Sequence, residues 1–206
     1  MSAPERAQPQ LYLLTPPVIE LSEFPDQLAA VLDSTEIACL RLALVTRDED
    51  RLSRAADACR AVAHARDVAI VLDDHTGLAE RLGLDGVHLT DAARSVRDAR
   101  KALGPDAIVG SYCSTSRHDG LTAGEAGADY VAFGPVTAIA GQEAAADDLF
   151  AWWSEMIEVP VVAEGGLTLQ AIERLAPIAD FLALGEEIWS TDAPADTLAA
   201  LTAPLR

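Results

Sequence analysis

Basic residues are scarce in this sequence. Lys+Arg number 15 against 33 Asp+Glu among 206 residues, a formal net charge of -18 at pH 7. No basic run interrupts that field, which repels nucleic acid phosphates and anionic membranes and all but excludes DNA or RNA as a partner. Long apolar runs are missing as well: none reaches the roughly 18 residues that a membrane-spanning helix needs. Cysteine is rare, and Cys39, Cys59 and Cys113 are odd in number, far apart and without a CxxC pair. That excludes a disulfide framework or zinc finger and fits a reducing cytoplasm. The opening MSAPERAQPQ lacks the basic-then-apolar pattern of a secretory signal, so residues 1–10 read as a disordered lead. There is no linker or low-complexity tract, so residues 11–206 are expected to form one domain.

What the chain does have is a 50% hydrophobic content, arranged as short apolar runs between helical patterns. The runs are Leu11–Thr15, Ile37–Leu44, Val68–Leu72, Gly86–Leu89, Ala107–Gly110, Tyr130–Phe133, Val159–Ala163 and Phe181–Leu184. Continuous rather than alternating apolarity marks strands buried on both faces. Helical period occupies Asp26–Leu32, Asp48–Ala65, Thr76–Leu82, Ala93–Leu103, Thr122–Ala126, Leu149–Ile157, Thr168–Leu175 and Ala195–Leu201. Eight strands alternating with eight helices predict an α/β fold, a (β/α)8 TIM barrel. The competing doubly wound sheet usually carries a glycine-rich turn after its first strand, where this chain has Thr15-Pro16-Pro17.

A parallel barrel keeps its chemistry at the C-terminal ends of its strands. Those ends supply Arg41, Asp73-Asp74-His75, His88, Ser111-Tyr112-Cys113, Gly134-Pro135, Glu164-Gly165-Gly166 and Gly185-Glu186-Glu187. Arg41 sits inside an apolar run; a guanidinium there needs a carboxylate or phosphate partner. Asp73 and Asp74 suit a hard divalent cation or a helix cap, and strand alternation turns only one of them inward. Gly165-Gly166 either makes a tight turn or offers backbone N–H groups to a phosphate, a frequent arrangement after strand 7. His88 reads equally as a core histidine, and Cys113 near His118 is only a hint of a thiol nucleophile. Of Trp152 and Trp153 on one helix, one ring is expected inside and the other partly outside.

The strings LYLLT, LDDHTGLAERLGLDGVHL, GADYVAFGPV, PVVAEGGL and FLALGEEIW resemble, in order and spacing, the thiamine-phosphate synthase family, which belongs to a superfamily that also includes thiazole tautomerases. The resemblance runs from Leu11 to Trp189. It implies a transferase that joins hydroxymethylpyrimidine pyrophosphate to thiazole phosphate and releases pyrophosphate, with Mg2+ as cofactor. Of the family's site residues Arg41, Asp74 and the Gly165-Gly166 pair match, with Asp74 at the metal position. Together with the strand-end residues the candidate site is Arg41, Asp73 and His88 for catalysis and Tyr12, Arg41, Gly134, Glu164, Gly165, Gly166 and Glu187 for substrate and phosphate binding. The family's second metal aspartate falls on Ala93, with Asp91 two residues earlier as a substitute.

The site departs from the family pattern. The Gln-x-Arg-x-Lys of strand 2 reads Cys39-Leu40-Arg41-Leu42-Ala43, and the lysine segment after Gly-Pro is absent. The serine after strand 5 is replaced by Tyr112, and the tautomerase histidine by Ser114. Carboxylates gather where phosphates would bind; one such pair at about 5 Å and an effective dielectric near 20 costs about 3 kcal/mol. Glu186 and Glu187 are expected to begin the last helix and to compete with a phosphate for its N–H groups. These departures point to a divergent paralogue. They leave open a related barrel enzyme with another substrate, or an inactive binding protein for a cationic ligand. A small-molecule partner is expected either way, with no nucleic acid or membrane, and a homo-oligomer is left open.

Overall fold

The structure, a computed structural model, describes residues 8–139 and 141–205. Eight parallel strands close into a barrel in sequence order, β1 pairing with both β2 and β8. They are β1 (Gln10–Leu14), β2 (Cys39–Leu42), β3 (Ala69–Asp73), β4 (Gly86–Leu89), β5 (Ile108–Tyr112), β6 (Tyr130–Phe133), β7 (Val161–Glu164) and β8 (Phe181–Leu184). Between them run α1 (Phe24–Ser34), α2 (Glu49–His64), α3 (Thr76–Leu82), α4 (Val96–Leu103), α5 (Arg117–Ala126), α6 (Asp147–Met156) and α7 (Leu169–Leu175). After β8 come a four-residue α8 (Glu186–Trp189) and then α9 (Pro194–Leu201). Glu186 and Glu187 therefore begin a separate short helix, not the last one. Gln10 already belongs to β1, which trims the expected lead; its residues 1–7 lie outside the described residues.

The apolar runs serve two cores. One strand face, with Leu13, Leu40, Ile70, Val87, Val109, Val131, Val161 and Leu182, packs beneath the helices. The other face fills the barrel itself with Tyr12, Cys39, Val71, Tyr130, Ala132, Val162 and Ala183. Strands buried on both faces need no alternation, which is why the runs are continuous. On α6 Trp153 is fully buried and donates to the Val159 carbonyl at 2.8 Å. Trp152 is half-buried under the Arg117 guanidinium, 4.1 Å from the ring centroid.

Helix starts follow local side-chain chemistry. Asp48 accepts from the N–H groups of Asp50 and Arg51, Ser116 from Asp119, and Thr168 from Ala171. The Ser116 cap explains why α5 begins five residues before its apolar periodicity does. In the other direction α4 starts late, because residues 91–95 form turns with Ala92 at φ +59. At the bottom of the barrel an aspartate directly precedes three even strands. Asp85, Asp129 and Asp180 each accept from an N–H at or next to the start of the preceding strand (Ile70, Val109 and Val161, at 2.7, 2.7 and 2.8 Å). Charge is thus used below to tie strand pairs together, which leaves the top free for a site.

Candidate active site at the barrel mouth

Arg41, Asp73 and Glu164 meet at the upper end of the barrel. Arg41 lies beside Val71 in register, so Asp73, two residues further along β3, faces inward one step above it. The guanidinium grips Asp73 with two bonds, Nε to Oδ1 at 2.6 Å and Nη2 to Oδ2 at 3.2 Å. Across the mouth Nη1 donates to Glu164 Oε2 at 2.8 Å. Arg41 is only 6% exposed. Burial opposes its charge, but Glu164 and Asp73 more than offset that and hold its pKa above the ordinary value. Burial pushes the Asp73 carboxyl up to about 6 against the pull of Arg41, with Glu164 and Asp74 adding to the rise. A guanidinium has five N–H donors, and these contacts use three, leaving two for an oxygen ligand.

Below this cluster lies a floor of hydroxyls. Tyr12 and Tyr130 share a hydrogen bond of 2.7 Å, and Tyr130 Oη lies 2.8 Å from His88 Nδ1. Gly110 makes room for this chain: a Cβ there would come 2.0 Å from Tyr130 Cζ. Burial keeps His88 neutral and both tyrosines protonated. His88 has no exposed surface, and its Nε2 finds no hydrogen-bond partner among the described residues. His88 and Tyr12, both singled out from the sequence, thus lie inside the barrel rather than on its rim. Tyr130 escaped the sequence reading; its signal was a hydroxyl within an otherwise apolar strand.

Asp74 leaves the strand at φ +55 and sits exposed on the rim. Its Oδ1 accepts from Thr90 N at 2.7 Å and its Oδ2 from the Thr90 hydroxyl. Asp91 follows Thr90 in the chain; its Oδ2 accepts from Ser95 at 2.6 Å, whereas Oδ1 is buried with no hydrogen-bond partner among the described residues. Those residues contain no group of three or more His, Cys, Asp or Glu side chains placed to hold a metal. The donors fit an ion only in the open manner usual for Mg2+, in which one or two carboxylates share it with substrate oxygens. Asp91 Oδ1 is the atom that such an ion would satisfy.

The loops after β7 and β8 form a second centre. Gly165 and Gly166 adopt φ +83 and +77, the left-handed region that favours glycine. The N–H groups of Gly166 and Leu167 both point at Glu187 Oε1, at 2.9 and 3.0 Å. Gly185 N donates to Oε2 at 2.8 Å. Of the two acidic residues expected to compete with a phosphate, Glu187 holds the N–H groups while Glu186 stands exposed. Gly134 N donates to the Ser114 carbonyl at 3.1 Å, and its own carbonyl accepts from Tyr112 Oη at 2.8 Å, so Tyr112 braces the β6 end. Cys113 is buried and its thiol is raised to about 11, which removes it as a nucleophile.

The chain matches the family described as thiamine monophosphate synthase over residues 11–188. It is 42% identical over 202 residues to a thiamine-phosphate synthase of Rhodospirillum centenum, covering 96% of this chain and 98% of that protein. A thiamine-phosphate synthase of Erythrobacter litoralis is 38% identical over 191 residues, 89% of each. Among solved structures, thiamine phosphate pyrophosphorylase from Pyrococcus furiosus superposes with a TM-score of 0.81 at 19% identity. That match covers 95% of this chain and 96% of the other, and it is a likeness of fold.

Proposed function

The chain belongs to the thiamine monophosphate synthase family, and from that membership we propose that it joins hydroxymethylpyrimidine pyrophosphate to thiazole phosphate and releases pyrophosphate. The observation that carries this reading is the 42% identity to a thiamine-phosphate synthase across nearly the whole of both chains. In that reaction the thiazole nitrogen forms a bond to the pyrimidine methylene carbon as the C–O bond to pyrophosphate breaks, and the bonding pair leaves with the pyrophosphate. Little proton chemistry is required. The protein's work is to position two substrates and balance charge.

In this reading the two unused N–H groups of Arg41 receive a pyrophosphate oxygen, and Asp73 and Glu164 keep the guanidinium aimed at the mouth. Asp73 loses charge readily, since burial has already raised its pKa to about 6. An incoming anion favours its neutral form further, which relieves repulsion. Asp74 and Asp91 would hold Mg2+ together with pyrophosphate oxygens. When bound, that ion supplies charge neutralisation for the leaving group. The neutral floor of His88, Tyr130 and Tyr12 carries no fixed positive charge, so it does not compete for the carboxylates above it with the positive charge that develops at the pyrimidine methylene as pyrophosphate departs.

A second reading, a barrel that holds a cationic ligand without turnover, draws on the same surplus of carboxylates around one guanidinium. A single assay separates the two: pyrophosphate release followed with both substrates and Mg2+. The synthase reading expects release that needs both substrates. Binding of the thiazole with no release at any enzyme concentration supports the second reading instead.

A further inference from the structure

Three backbone N–H groups that converge after strands 7 and 8 of a barrel make a cradle for an anion. Here the anion is part of the chain. Glu187 receives Gly166 N and Leu167 N on one oxygen and Gly185 N on the other, so its carboxylate spans both loops. Thr137 adds a clamp from the β6 loop by donating to the Gly166 carbonyl at 2.6 Å. No arginine or lysine pairs with Glu187 among the described residues. The cradle's dipoles therefore neutralise this one charge and are fully engaged by it. A phosphate arriving at the same N–H groups meets a carboxylate at contact distance, with exposed Glu186 one residue away.

We propose that Glu187 is an internal competitor for the acceptor's phosphate: the carboxylate occupies the cradle in the free protein, and the acceptor gains the cradle only by displacing it. Glu187 thereby sets both the affinity for a phosphorylated acceptor and how far the site distinguishes it from the same thiazole with a free hydroxyl in place of the phosphate ester. The identity of the acceptor rests on the synthase reading, whereas the competition itself concerns any phosphate. When product leaves, the carboxylate closes over the vacated N–H groups and favours release.

The test compares the wild type with Glu187→Ala and Glu187→Gln by calorimetry, using inorganic phosphate, thiazole phosphate and the phosphate-free thiazole. Glu187→Ala is expected to strengthen binding of both phosphates at least about tenfold, or 1.4 kcal/mol, and to leave the phosphate-free thiazole within about twofold. Glu187→Gln keeps an acceptor oxygen without the charge and is expected to fall between, so it decides the matter if the alanine variant does not fold. A carboxylate that only staples the two loops predicts the reverse: stability falls, all three ligands weaken together, and the proposal is overturned. Unchanged phosphate affinity in both variants overturns it as well. Turnover is read separately by pyrophosphate release. Gains in phosphate binding without turnover by any of the three proteins refute the synthase reading and leave the competition standing.

Discussion

The two sides of the barrel mouth solve opposite electrostatic problems. On the β2–β3 side a buried cation, Arg41, is neutralised by two carboxylates. On the β7–β8 side a carboxylate, Glu187, is held by three backbone N–H groups and, among the described residues, by no cation. Both places present N–H donors of the kind that hold an anion, and in both the chain has installed its own carboxylates. The difference lies in what each arrangement loses on being opened. Charges paired through side chains leave an unpaired buried ion when one partner is removed, whereas backbone dipoles hold no net charge and can exchange one anion for another.

The largest effect expected from that contrast is on Arg41. Arg41→Ala leaves Asp73 and Glu164 partly buried without their cation, and urea unfolding should show a loss of about 3–5 kcal/mol. A loss under about 1 kcal/mol would mean that the mouth admits enough water to screen the carboxylates, and the contrast between the two sides would collapse.

The second effect is a pH dependence confined to the β2–β3 side. The folded pKa of Asp73 is raised to about 6 from an unfolded value near 3.9. The folded state therefore binds the proton more tightly. That contribution to stability is fully present below about pH 4 and is lost as pH rises through about 6, up to about 3 kcal/mol for a shift of about two units. Asp73→Asn should flatten the stability profile between those pH values. A profile that keeps its slope in the variant would assign the titration to another group.

The smallest effect sharpens the role of the rim. Asn tolerates the left-handed conformation that Asp74 adopts at φ +55, so Asp74→Asn should keep the fold. The half-saturating Mg2+ concentration for pyrophosphate release is expected to rise about tenfold, equivalent to about 1.4 kcal/mol. Asp91→Asn, which alters the carboxylate whose Oδ1 is unsatisfied, should act in the same direction. Magnesium dependence unchanged in both variants would move the ion away from Thr90.

Much of the barrel was legible in the sequence because its causes are local or periodic. Continuous runs such as VAIVL and FLAL mark doubly buried strands, and β4, β6 and β8 begin and end where those runs do. Where boundaries shifted, the reason was also local but lay outside periodicity: the Ser116 cap lengthened α5, and turns at residues 91–95 shortened α4. At the site, the pairing of Arg41 with carboxylates followed from the cost of burying a guanidinium in an apolar run. Its partners did not, since Asp73 and Glu164 lie 32 and 123 residues away.

The sequence by itself determined the eight-fold alternation, the acidic balance and the set of residues offered to the mouth, because each depends on composition or on spacing of a few residues. Only the tertiary structure decided which of those residues meet. Closing the barrel put Tyr130 against His88 and Tyr12, placed Glu164 across the mouth from Arg41, and gave the cradle to Glu187 while leaving Glu186 in solvent. The two glutamates are adjacent and chemically identical. What separates them is direction alone, since a short helix turns each residue about 100° from the last. That turn aims one carboxylate at three N–H groups and the other at water.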